Sequence, residues 1–184
     1  ITGPLAIGSS DGVDWLDASA CDFRFYDRAL SSSEVQTLYE WGSGDYTDQS
    51  LHDGTDSGAV SRYTFDGDVR TDSWGSNTLT DNTSSGTTTD AVRGVAKKFE
   101  GTDDENLNAE ESIINSETSI TISTWVKFND LSSDNAIISQ KGDKNTFTLW
   151  WLDATMNLRF RVKESSGDTP EVTTSKIREG VWYN

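Results

Sequence analysis

Chemistry in this chain has to come from carboxylates, indoles and hydroxyls, because it holds one Cys and one His in 184 residues. Cys21 precedes Phe23 and Phe25 in a strand-like run, where a lone cysteine is expected as a small buried hydrophobe. His52 lies in a polar stretch with no strand or tight nucleophile turn around it, so neither thiol nor Ser/His/Asp catalysis has its parts. A single cysteine also excludes an intrachain disulfide, and the sequence holds neither CxxC zinc pairs nor a phosphate-binding glycine loop. The densest acidic cluster, Glu100 to Glu105 (EGTDDE), is broken by Gly101 and reads as a solvated loop. It does not read as two carboxylates facing each other across a sugar. The chain is therefore not expected to be an enzyme. Indoles offer a different chemistry, since an exposed ring beside hydrogen-bonding groups is a platform for a sugar. The candidates are Trp125, Trp150 and Trp151, with Lys127 and Arg161 as polar neighbours. Trp150 and Trp151 are adjacent, so on a strand one must face the core and the other the outside.

The elements that would position these rings are strands. Ser119 to Phe128 (SITISTWVKF) sets Ile120, Ile122, Thr124, Val126 and Phe128 against Thr121, Ser123, Trp125 and Lys127, a period of two with one core face. Similar runs occur at Val60–Phe65, Val95–Phe99, Ala136–Gln140, Thr146–Leu152, Leu158–Val162 and Val172–Lys176, separated by turn residues such as Lys141–Asn145 and Ser165–Asp168. Many short strands punctuated in this way predict a sandwich or barrel. One helix is expected: Ser31 and Glu34 have capping-box spacing, and Val35, Leu38 and Tyr39 follow as a short apolar stripe. Residues 42–57 (GSGDYTDQSLHDGTDS) carry four Asp and no base, which marks a solvated linker between a first piece, 1–41, and a second, 58–184.

Composition bounds the function. The length suits one domain or two partial ones, and 7 Trp, 7 Phe and 5 Tyr are too much aromatic surface to leave in water. No apolar run approaches the ~18 residues of a membrane span. The chain opens Ile1-Thr2-Gly3-Pro4, without Met or a signal peptide, and is expected to be an excised part of a longer protein. With 31 acids against 15 bases the net charge is -16, which excludes a phosphate-binding basic stripe and hence a nucleic-acid partner. The Asp excess, 21 of the 31 acids, suits a high-salt setting, where self-repulsion is screened and carboxylates keep the surface hydrated. Asn82-Thr83-Ser84 is a glycosylation sequon consistent with an external protein.

Particular residues then carry a resemblance. Phe23-Arg24-Phe25-Tyr26-Asp27-Arg28-Ala29-Leu30-Ser31 with Glu34 to Tyr39 resembles the closing strand and short helix of laminin-G-like, concanavalin A-like jelly-roll domains. Tyr63-Thr64-Phe65-Asp66-Gly67-Asp68, Phe99-Glu100-Gly101 to Leu107, Ile120 to Phe128 and Gly180-Val181-Trp182-Tyr183-Asn184 resemble their opening half. The order is inverted. Either the chain holds the end of one domain, a linker and the incomplete first part of the next, which is the arrangement expected here, or it is circularly permuted. The resemblance implies an all-β antiparallel jelly-roll β-sandwich with one short surface helix, whose sheets are completed by neighbouring domains or subunits. No strand carries the E-x-D-x-x-E run of retaining glycosidases on this fold, which leaves a glycoside hydrolase a distant third. It also implies Ca²⁺ as a possible cofactor, with Asp22, Asp66, Asp68 and Asp72 as the matching acids, none of them in an EF-hand loop. The expected work is non-catalytic recognition or adhesion at a cell or virion surface in high salt, with a cell-surface glycan or protein as partner. A purely structural surface module making subunit contacts is the alternative.

Overall fold

A computed structural model describes residues 3–10, 14–43, 58–82, 86–88, 91–92, 94–102, 105–109, 112–114, 119–140, 146–163, 171–174 and 176–184. Most of the acidic connection, with His52, lies outside the described residues. In chain order the elements are β1 (Leu5–Ile7), β2 (Ser9–Ser10), β3 (Asp14–Trp15), β4 (Asp17–Tyr26), helix α1 (Ser32–Ser43), β5 (Ala59–Tyr63), β6 (Thr80–Asp81), β7 (Thr87–Thr88) and β8 (Ala96–Glu100). They continue with β9 (Leu107–Ala109), β10 (Thr121–Phe128), β11 (Asn135–Gln140), β12 (Thr146–Leu152), β13 (Asn157–Lys163), β14 (Glu171–Thr174) and β15 (Trp182–Tyr183).

These strands build an all-β sandwich. One sheet has the order β14-β13-β12-β11-β1-β9-β6 and the other β15-β10-β4-β8-β7, with β5 also pairing β4. Leu5, Ile7, Leu107, Ile138, Phe147 and Trp151 from the first sheet bury against Ala18, Phe23, Phe25, Phe99, Val126 and Phe128 from the second. The alternation read in β10 holds, since Val126 and Phe128 join this core while Thr121 and Lys127 lie on the outer side. Cys21 is buried as a small hydrophobe. The first piece of the chain is not set apart from the second. β1 lies between β11 and β9, and β4 lies between β10 on one side and β8 with β5 on the other.

β4 is buried along nearly its whole length, and a bulge explains how. Between Cys21 and Arg24 it advances three residues while β10 advances two, from Trp125 to Ser123. Asp22 lies at this irregularity in the left-handed region, with φ 55°. The extra residue exchanges the two faces, so Ala18 and Ala20 before it and Phe23 and Phe25 after it all reach the core. Arg24 and Tyr26 are left on the outer face, where α1 covers them.

The helix begins as its capping box predicts. Ser31 Oγ accepts the Glu34 N–H at 3.3 Å, and Glu34 Oε2 accepts the Ser31 N–H at 2.7 Å. The Arg28 guanidinium grips the same carboxylate at 2.6 and 3.2 Å. Those bonds, Arg28 first and Ser31 next, hold the Glu34 pKa down to about 2. Of the expected stripe only Leu38 is buried, against Tyr26, while Val35 and Tyr39 are about half exposed.

Candidate functional site

The three candidate indoles part company. Trp151 is 4% exposed, packs against Phe128 and donates from Nε1 to the Leu131 carbonyl at 3.2 Å, so it belongs to the core. Trp125 is 7% exposed because Tyr39 of α1 stacks on it, with ring centres 5.6 Å apart. Lys127, one of the two polar neighbours expected beside the candidate indoles, stands over Trp182 at 5.4 Å. As placed, neither Trp125 nor Trp151 is a bare platform. Trp150 alone of the three keeps partial exposure.

Strand periodicity builds the surroundings of Trp150. On β13 the run Asn157–Lys163 (NLRFRVK) puts Arg159 and Arg161 on one face and Leu158, Phe160 and Val162 on the other, where they pack on the core. Register sets Arg159 directly opposite Trp150 and Arg161 opposite Thr148. The guanidinium carbons then lie 5.8 Å (Arg159) and 5.5 Å (Arg161) from the centre of the Trp150 ring. Beyond them β14 brings Glu171 opposite Arg161, and its carboxylate lies 3.6 Å from Arg159 Nη1. Arg159 Nε is buried without a hydrogen-bond partner, and Arg161 has no ion pair among the described residues. Arg159 was missed in the sequence, although the alternation Arg159-Phe160-Arg161 is the signal that finds it.

A concavity lies beside α1. It has a volume of about 370 Å³ and is lined by Leu30, Ser32, Val35, Gln36, Tyr39 and Asn184. Its ring is Tyr39, and its amide groups already bond to protein: Gln36 Nε2 donates to Glu40 at 2.8 Å, and Asn184 Nδ2 to Ser123 and the Thr124 carbonyl at 3.0 Å each.

The four acids matched to calcium turn to protein donors. Asp22 is buried and accepts from Arg24 Nε and Nη2 at 2.9 and 2.6 Å on one oxygen, and from Arg62 Nε at 2.7 Å on the other. These guanidiniums lie between two indoles: 4.6 Å (Arg24) and 5.2 Å (Arg62) from the Trp41 ring centre, and 5.9 Å each from that of Trp74. Asp72 is a turn former, with Oδ1 accepting the backbone N–H groups of Arg62, Trp74 and Gly75 at 2.9 to 3.0 Å and Oδ2 that of Asn77 at 3.2 Å. Asp68 pairs with Arg70, whose hydrogen bonds lower its pKa to about 2. Asp66 accepts the Val95 N–H at 2.6 Å, beside Gly94, where any side chain would strike its carboxylate. A calcium ion wants six to eight oxygens turned inward. As placed, these residues do not fit one, and no group of three acidic, His or Cys side chains able to hold a metal occurs among the described residues. The EGTDDE loop also departs from its reading, since Glu105 is buried and accepts the Glu100 N–H at 2.5 Å.

Comparison with known families places this geometry. Residues 99–184 match the laminin-G type of the concanavalin A-like lectin/glucanases superfamily, a segment that runs from β8 to β15 and contains Trp150, Arg159 and Arg161. No curated protein and no solved structure matches the chain. The superfamily match supports a carbohydrate-binding or adhesion-type module. No helix among the described residues is long and apolar enough to cross a membrane.

Proposed function

We propose that this chain is a non-catalytic recognition module that binds cell-surface glycan on the outer face of its seven-stranded sheet, with Trp150 as the stacking ring. The observation that carries the reading is the partly open indole of Trp150 with two guanidiniums within 6 Å of its centre, on strands whose other face is fixed in the core. Rigid strands hold the ring and the donors in register, so little freedom is lost when a sugar docks. The test is a glycan array probed with the whole chain and with Trp150→Ala, alongside hydrolysis assays on the bound sugars. The reading expects binding that Trp150→Ala abolishes at unchanged melting temperature, and no new reducing ends. Binding that survives the substitution, or turnover, overturns it.

An extracellular or virion surface in high salt is the proposed setting, supported by the charge of -16. Its measure is a thermal melt from dilute buffer to multimolar NaCl, where a rising midpoint is expected and a flat or falling one counts against it. A structural contribution through subunit contacts has its own observation: all four residues of the edge strand β14 are exposed, Val172 at 72%. Open edges pair. Light scattering should find self-association that Val172→Lys removes, and a monomer at all concentrations would exclude it.

A further inference from the structure

We infer that the Trp150 face selects acidic sugars, those bearing a carboxylate or a sulfate, over neutral ones. The inference rests on the glycan reading above and adds the ligand's charge. In a chain with twice as many acids as bases, β13 holds three bases and no acid. Two of these bases sit within 6 Å of the centre of the partly exposed Trp150 ring. A guanidinium is a planar fork of donors suited to carboxylate and sulfate oxygens, and it stays charged at any working pH. Arg161 offers that fork with no carboxylate bound to it among the described residues, and Arg159 Nε is buried without an acceptor.

The contrast with the rest of the molecule sharpens the point. Arg24 and Arg62 also flank indoles, yet Asp22 engages both of them at 2.6 to 2.9 Å. At Trp150 the sole opposing group among the described residues is Glu171, 42% exposed and 3.6 Å from Arg159. That contact is loose enough for an acidic ligand to displace. A neutral sugar could stack on Trp150 and offer the forks only uncharged hydroxyl acceptors, whereas an acidic sugar adds the opposite charge that the forks match.

The experiment measures affinity of the whole chain for three tetrasaccharides with one backbone stereochemistry: galactose, galacturonic acid and 6-sulfated galactose. Wild type, Arg161→Gln, Glu171→Gln and Trp150→Ala are compared at 0.15 M salt. Acidic tetramers should bind at least tenfold tighter than neutral galactose. Arg161→Gln should erase that ratio by lowering acidic affinity far more than neutral affinity, at an unchanged melt, and Glu171→Gln should raise acidic affinity two- to threefold. Trp150→Ala should lose all three. Preference for only one of the acidic tetramers supports the inference and identifies the group recognised. An acid-to-neutral ratio near one, or a ratio unchanged in Arg161→Gln, overturns the inference and leaves the glycan reading standing. Failure of every tetramer to bind wild type removes both.

Discussion

Two clusters of the same residue types sit on the outer faces of the two sheets and do opposite things. Over the six-stranded sheet, Trp41 and Trp74 lie beside Arg24 and Arg62, and the Asp22 carboxylate binds both guanidiniums beneath α1. On the seven-stranded sheet, Trp150 stands beside Arg159 and Arg161, and Arg159 makes one long contact to Glu171. Burial and charge closure distinguish them. A guanidinium 1% exposed, as in Arg24, must have its partner and can only be structural, while one at the surface keeps its hydrogen-bonding capacity for a ligand. Tryptophan beside arginine is thus a staple in one place and a candidate receptor in the other.

The largest effect expected from breaking this comparison is at Asp22. Asp22→Asn keeps a residue that tolerates the left-handed φ but removes the charge facing the buried Arg24 and the partly buried Arg62, and should cost about 3–5 kcal/mol in denaturant unfolding. Full stability in this variant would show that the covered cluster is held by stacking alone. Next, Trp151→Ala should cost about 3–5 kcal/mol through the cavity it opens, whereas Trp150→Ala, one residue away, should stay within about 0.5 kcal/mol. Equal losses would mean that Trp150 is core too.

A smaller effect belongs to the helix that covers the first cluster. Glu34→Gln should weaken the capping box and cost about 1 kcal/mol at neutral pH. Because the folded carboxyl titrates at about 2 against an ordinary 4.5, its contribution is complete above 4.5 and is lost as pH falls through about 2. Acid titrations of wild type and Glu34→Gln should therefore converge across that window and run parallel above it. A constant gap down to pH 2 would contradict the assignment. Smallest is Glu171→Gln, which should leave stability within about 0.5 kcal/mol, as expected of a loose surface pair.

Much of this was legible in the chain. Strict alternation gave β10 its faces, the sequence Thr146–Leu152 is β12 residue for residue, and Ser31 with Glu34 marked the helix start. The Trp150/Trp151 pair divided as adjacency on a strand requires. What periodicity could not show was set by tertiary contact. The bulge at Asp22 exchanges the faces of β4, and nothing in the run Ala20-Cys21-Asp22-Phe23 announces an extra residue. Trp125 could be placed on the outer face but not beneath Tyr39, because the helix that supplies Tyr39 lies 86 residues earlier. Asp22 and Asp72 look like cation ligands in one dimension, since carboxylates that bind metals and carboxylates that bind Arg or backbone N–H groups are the same residues.

The central claim is that the open cluster, not the covered one, meets the ligand. It is tested most directly by following the indole N–H resonances of the seven tryptophans while the tightest-binding tetramer of the galactose series is added. The account predicts that Trp150 shifts and saturates while Trp41, Trp74, Trp125 and Trp151 hold still. Shifts at Trp41 and Trp74, or at Trp125 beneath Tyr39, with Trp150 unmoved, would contradict it.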